Sequence, residues 1–265
     1  MKEPSWADFK KFVREYEPYS FEFFEDRGFH HIQKSVRRFY RMLCVLNDCL
    51  KPETRLCDLG SFPGTFIRIL LHYDKDLKLQ LTSTGLLVTP EFRETMRKLG
   101  VEVLKVNLDP AHDGLPVGTG KPEYNLSDRK GYFDIVVASE LIEHMVNPLH
   151  LVTVARDILK PGGHLLLTTP NLAWIKNRIS LLRGGSPNEP LSEGLFSAEE
   201  SGRWRPHYRV YTMGETRQLL EREGLMMVHG EFLQEPPPAP SPLKKLLYSA
   251  PSFRRTFLIL AQKKD

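Results

Sequence analysis

Residues 55–70 read RLCDLGSFPGTFIRIL. A short apolar run (Leu56, Cys57, Leu59) leads into Asp58, Gly60 and Gly64. Apolar residues then recur at helical spacing (Phe66, Ile67, Leu70, Leu71). The pattern predicts a strand, a tight glycine turn and a helix. Residues 77–83 alternate as a second strand, and Thr89 with Pro90 opens a further helix as cap and first-turn proline. Residues 101–106 read as a third strand. Residues 131–171 then give an apolar strand, an acidic turn, a helix opened by Asn147 and Pro148, a Lys-Pro-Gly-Gly turn and another apolar strand. A capped helix over 212–224 and strands over 225–232 and 256–262 complete the alternation, which is that of an α/β sheet.

The ends and insertions break this rhythm. Residues 1–50 are rich in aromatics (Trp6, Phe9, Phe12, Tyr16, Phe21, Phe39 and Tyr40 among them) without strand alternation, and predict two or more helices. They form either a lid over a ligand crevice or a layer covering the first strand. Lys34, Arg37, Arg38 and Arg41 fall on one helical face, which either meets an anion or is simply solvated. Residues 111–130 read as a polar surface loop, and 234–242 (QEPPPAPSP) as a semi-rigid connector. Leu243, Lys244, Lys245, Leu246 and Leu247 make a short basic amphipathic piece, either packed on the core or in peripheral contact with a membrane or lipid-linked substrate.

Composition narrows the classes. The 265 residues can bury one sizeable core, and we expect a single domain over 1–265. A net charge of +4 is too mild to argue for nucleic acid unless it clusters. Cys44, Cys49 and Cys57 form no CxxC pair and suggest neither disulfides nor zinc. The start lacks the apolar segment of a signal peptide, and no uncharged apolar run is long enough to span a bilayer. A cytoplasmic location is expected.

Together, residues 55–70 and 131–171 resemble the class I S-adenosylmethionine (SAM) dependent methyltransferases. The family's cofactor pattern LDxGxGxG is met by Asp58, Gly60 and Gly64, with Cys57 at the leucine. Its FDxVxxxxxxEH segment is met by Phe133, Asp134, Glu143 and His144, and its LKPGGxLxxxTPN segment by residues 159–163 and 169–171. The likeness covers roughly residues 54–230. It implies a Rossmann-like doubly wound sheet of seven strands, mostly parallel with one antiparallel strand near the C-terminus. The expected divisions are a helical extension (1–50), a SAM-binding core (54–170), an acceptor cap (171–212) and a last helix with strands (213–265).

The resemblance also implies SAM as cofactor. Asp58, Gly60, Ser61, Phe62 and Gly64 would cradle its methionine part, Asn107 or Asp109 would meet the adenine, and Ser139 and Glu140 would border it. Two positions depart from the pattern. Phe62 replaces the middle glycine, where a side chain either crowds the methionine end or packs beneath it. Leu87 stands where the family has an acidic residue for the ribose hydroxyls.

Methyl transfer from a sulfonium is an in-line displacement, so positioning dominates; proximity and orientation supply ~7 to 11 kcal/mol in favourable systems. A hydroxyl acceptor also gains on the order of 100 to 10,000-fold from a base. Glu143, His144 and His207 are the catalytic candidates. The first reading is O-methylation of a small molecule or a glycan or lipid-linked sugar, without metal. If Glu140, Glu143 and His144 share one helical turn, they and His207 make a two-carboxylate, two-histidine set for Mg²⁺ or Mn²⁺, a spacing that resembles metal-dependent small-RNA 2′-O-methyltransferases. Residues 174–209 carry six Lys or Arg against four Glu, a mixed charge that argues against RNA. Trp174, Trp204 and Tyr208 either stack on an acceptor or form the cap's own small core. A third reading is a non-catalytic module of the same fold.

Overall fold

The structure is a computed structural model and describes residues 4–22, 31–74, 76–109, 126–188, 207–234 and 248–264. Most of the 111–130 loop, the middle of the cap with Trp204, the proline connector and the basic piece at 243–247 lie outside the described residues.

Helices α1 (Trp6–Glu15), α2 (His31–Lys34) and α3 (Val36–Asn47) precede the first strand. The chain continues through β1 (Arg55–Leu59), α4 (Thr65–Tyr73), β2 (Gln80–Gly85), α5 (Pro90–Lys98), β3 (Glu102–Lys105) and β4 (Phe133–Ser139). Then follow α6 (Pro148–Ile158), β5 (Leu159–Pro170), α7 (Ile175–Leu182), α8 (Met213–Arg222), β6 (Leu225–Leu233) and β7 (Thr256–Lys263). The seven strands form one sheet in the order β3-β2-β1-β4-β5-β7-β6. All pairs are parallel except those of β7, which runs antiparallel to both β5 and β6. This is the Rossmann-like sheet that the resemblance implies.

The strand sequences show why this sheet is covered on both faces. Within β4, Ile135 and Val137 point to one apolar layer while Phe133, Val136 and Ala138 point to the other. A strand buried on both sides reads as a continuous apolar run, as in a parallel sheet. The first layer includes Phe39, Met42, Leu43 and Leu46 of α3 together with Leu56, Ile67, Leu70 and Leu81. The helical extension is therefore part of the core that covers β1. The second layer is closed by Leu151, Val152 and Ala155 of α6 and by Leu220 of α8.

Two local readings change. The Lys-Pro-Gly-Gly stretch is not a separate turn: β5 runs through it from Leu159, and its pairing with β4 shifts register between Phe133 and Ile135. The acidic segment after β4 is not a regular helical turn. Glu140 has a left-handed backbone (φ 51), and only Ile142–His144 is a 3-10 turn. Glu140 therefore does not share a helix face with Glu143 and His144.

Candidate active site

Strand order reverses between β1 and β4: β1 leads outward to β2 and β3, β4 the other way to β5. In open α/β sheets such a switch point leaves a crevice at the carboxyl ends of the strands, where ligands bind. Gly60 leaves β1 and Glu140 leaves β4 at this place. Both turn glycines have left-handed backbones (φ 67 at Gly60, φ 81 at Gly64), which glycine adopts without strain. A Cβ at Gly60 would sit 2.8 Å from Leu141 Cδ1 across the crevice, whereas one at Gly64 would sit 2.8 Å from Met96 Cε and 3.0 Å from Phe92 Cε2. Gly60 is thus required by the crevice wall and Gly64 by the packing of α4 on α5.

The turn between them is braced by short-range bonds. Ser61 N–H donates to Thr84 O at 3.0 Å, its hydroxyl shares a hydrogen bond with that of Ser83, and Gly64 N–H donates to Ser61 O at 2.6 Å. Phe62 packs beneath the turn, with its ring 5.3 Å from Phe92 and 6.1 Å from Phe21. The departure at Phe62 is therefore absorbed by the core. Asp58 is buried on β1, and burial pushes its carboxyl up to about 8.

At the end of β3, Asn107 and Asp109 separate in role. Asp109 is 1% exposed and accepts from Val146 N–H at 2.8 Å and Asn147 N–H at 3.2 Å, tying this strand end to the entrance of α6. Asn107 is half-buried, and its side-chain oxygen accepts from Asp109 N–H at 2.9 Å. Leu87 follows β2 half-buried, and brings no carboxylate to that strand end.

Ser139 Oγ and Thr168 Oγ1 are 2.9 Å apart, linking the ends of β4 and β5. Next to it Glu140 Oε2 pairs with Arg38 Nη1 of α3 at 2.8 Å. Sequence reasoning placed Arg38 only in a basic stripe. The stripe is not a single anion surface, because Arg41 pairs with Glu231 at 3.0 Å and Arg37 alone among the described side chains of the set is exposed.

Glu143 is fully buried. Its Oε2 accepts from Thr169 Oγ1 at 2.9 Å, and its Oε1 has no hydrogen-bond partner. Burial, reinforced by the nearby Glu140 carboxylate, raises its pKa well above the usual carboxylate range. The Glu143 carbonyl accepts from Tyr208 N–H at 2.8 Å, and Leu172 N–H donates to Tyr211 O at 2.8 Å. These backbone bonds bring the 207–211 segment against the β4 turn. The His144 and His207 rings consequently lie 4.7 Å apart, and ligand atoms of Glu143, His144 and His207 all fall within 4.8 Å of one another. Three of the four residues of the candidate metal set meet; Glu140 faces Arg38 instead.

Asn171 holds this end of β5. Its Nδ2 donates to Ser252 O and Arg254 O at 2.8 Å each, and its Oδ1 accepts from Ala173 N–H. Trp174 is half-buried beside Lys176 and Arg255, and Tyr208 is exposed near the histidine pair. Sequence reasoning missed Arg38 and Thr169 as site residues; the only signal for the latter was its place in the Thr-Pro-Asn motif.

A glycine turn and an acidic segment on adjacent strand ends of this sheet define the class I methyltransferase architecture. The methyltransferase domain family matches residues 29–229, so the chain belongs to that family, whose class I members use SAM. Among curated relatives, the ubiquinone biosynthesis O-methyltransferase of Ruegeria sp. (strain TM1040) is 28% identical over 177 residues, 58% of this chain and 65% of that protein. Its counterpart from Dinoroseobacter shibae is 31% identical over 177 residues, covering 60% and 67%. The chain spans about half to two thirds of the length of most of the curated relatives described. The Burkholderia thailandensis 1,6-didemethyltoxoflavin-N1-methyltransferase, solved with S-adenosylhomocysteine, superposes with a TM-score of 0.53 at 14% identity over 87% of this chain and 79% of that one. That likeness establishes the fold. No helix among the described residues is long and apolar enough to cross a membrane.

Proposed function

We propose that this chain, acting as one domain, transfers a methyl group from SAM to an oxygen of a small molecule or of a sugar in a glycan or lipid-linked precursor. The observation that carries the reading is the His144–His207 pair at the same strand ends as the glycine turn. Two features of the turn support the cofactor reading: Gly60, without a side chain, lets Leu141 pack close against the turn, and Phe62 is turned into the core. SAM, when bound, supplies a methyl group activated by its sulfonium. Asp58, Ser61 and the turn backbone would hold its methionine part, Ser139 and Glu140 would border it, and Asn107 is better placed than Asp109 for the adenine because both Asp109 oxygens already accept backbone bonds.

The chain's own chemical task is to orient the acceptor hydroxyl and take its proton. Nε2 of His144 lies 4.0 Å from Glu143 Oε1, so the imidazole that takes the proton stands beside a buried carboxyl whose surroundings favour its protonated form. His207, half-buried opposite, is the second base candidate.

Calorimetric titration with SAM and S-adenosylhomocysteine tests the reading, followed by a screen of hydroxylated acceptors. Micromolar binding, and turnover cut by at least ~100-fold in His144→Ala or His207→Ala, supports it. Binding of neither ligand would leave a fold of this family used as a non-catalytic module.

One observation favours a second reading, in which Glu143, His144 and His207 hold a divalent cation: Glu143 Oε1 is buried without a partner beside two imidazoles. A set of two histidines and one carboxylate suits Mn²⁺, Fe²⁺ or Zn²⁺. The reading on RNA 3′ ends loses the fourth ligand on which its spacing rested, since Glu140 pairs with Arg38. A metal heat lost in His207→Ala would support the cation.

A further inference from the structure

Helix α7 (Ile175–Leu182) has no buried residue, although it carries four large apolar side chains. Leu182 is 87% exposed, Leu181 55% and Ile179 36%. Its arrangement is ordered. Asn177 faces the protein, its amide donating to Asn171 O at 3.2 Å and Leu172 O at 3.1 Å. Ile175, Ile179 and Leu182 stand at i, i+4 and i+7 on the opposite face. Arg178, whose Nε donates to Ala173 O at 2.7 Å, flanks that apolar stripe on one side, Lys176 and Arg183 flank it on the other, and α7 holds no acidic residue. A hollow of about 490 Å³ opens beside it, lined by Lys176, Ile179, Ser180, Arg183 and Gly185.

An apolar stripe bordered on both sides by cations is the pattern of a helix lying in a membrane interface, with the stripe in the acyl boundary and the cations among anionic headgroups. A second copy of this chain fits less well, because a two-fold contact would set cation against cation across the stripe. We propose that α7 docks this protein on bilayers bearing anionic lipids. The helix leaves the carboxyl end of β5, so the membrane would lie on the side of the sheet where the crevice opens. The inference does not depend on methyl transfer, since vesicle binding is measured without SAM or acceptor.

The test is co-sedimentation of the full chain with vesicles of phosphatidylcholine alone and of phosphatidylcholine mixed with phosphatidylglycerol, at low and high salt. Binding to the mixed vesicles that fades with salt and is absent on pure phosphatidylcholine is expected. Each of Lys176→Glu, Arg178→Glu and Arg183→Glu should weaken it by at least about fivefold. Leu182→Glu should weaken it by more than ~10-fold while the circular dichroism spectrum and unfolding temperature stay unchanged. No binding to the mixed vesicles at low salt, or binding that Leu182→Glu and the charge reversals leave intact, overturns the proposal. So does a concentration-dependent dimer abolished by Leu182→Glu, which would assign the face to a second copy.

Discussion

Arg38 of α3 donates to Glu140, the first residue past β4, at 2.8 Å, and Glu140 keeps a left-handed backbone to receive it. The pair fastens the helical extension to the strand end beside the glycine turn. The Arg38 side chain is 8% exposed and that of Glu140 24%, so the pair is largely shielded from water. Replacing Arg38 by Ala is expected to cost about 2 to 4 kcal/mol in urea unfolding, the range for breaking a mostly buried pair reduced for partial solvent access. Glu140→Gly should be about 1 kcal/mol more stable than Glu140→Ala, because glycine relieves the left-handed strain that alanine retains. Equal stabilities for those two variants would mean that the strain is absent.

Asp58 makes stability depend on pH. Its folded pKa of about 8 lies above the ordinary 3.8, so the folded chain binds this proton more tightly than the unfolded chain between those values. Stability from this group is fully present below about 4 and is lost as pH rises toward 8. Asp58→Asn should flatten that slope in unfolding measurements from pH 5 to 8. If the ammonium group of SAM or S-adenosylhomocysteine approaches this carboxyl, binding near pH 7 should release a proton. Calorimetry in two buffers of different ionisation enthalpy reads that release directly.

Glu22 anchors the segment after α1. It is 2% exposed and accepts from Tyr16 Oη at 2.6 Å, Tyr19 N–H at 3.1 Å and Thr65 Oγ1 at 3.2 Å, and it pairs with Arg68 of α4. Tyr16→Phe removes one charge-assisted bond and should cost about 1.5 to 3 kcal/mol. Glu22→Ala removes the acceptor of Tyr16 Oη, Tyr19 N–H and Thr65 Oγ1 and the Arg68 ion pair at once, leaving Arg68 its bond to Glu17 O, and should cost more, with a visibly lower unfolding temperature.

Phe62 holds the turn by packing against Phe92 and Phe21. Phe62→Ala is expected to lose about 2 to 4 kcal/mol in unfolding, near the lower end of a buried aromatic truncation because the ring is only partly enclosed. Affinity for S-adenosylhomocysteine should change by less than about threefold if the turn keeps its form, since such a change is under 1 kcal/mol. A tenfold gain in affinity would show that the ring had crowded the crevice.

Much of the fold was legible because its signals are local. The apolar run from Phe133 to Ser139 reads as a strand, and Thr89, Asn147 and Thr212 each cap the helix that follows, the last with a full capping box to Glu215. The site was legible only in part. Gly60, Glu143 and His144 sit in motifs, but the meeting of His144 with His207 depends on backbone bonds from Tyr208 and Leu172 that no periodicity records. Arg38 looked like one cation in a stripe because its partner lies far along the chain. Spacing alone puts Glu140 on a helix face with Glu143 and His144, whereas its positive φ removes it from that face.

The position of β7 orders events during synthesis. This strand stands between β5 and β6, yet the ribosome delivers β6 first. Until β7 has emerged, β6 has no neighbour in the sheet, and the open flank of β5, with Leu165 and Leu167, lacks its antiparallel cover. A nascent chain paused after β6 therefore exposes two unpaired strand flanks at once, the condition under which edge-to-edge aggregation begins. Quick passage through the 234–255 stretch shortens the time for which both flanks stand unpaired.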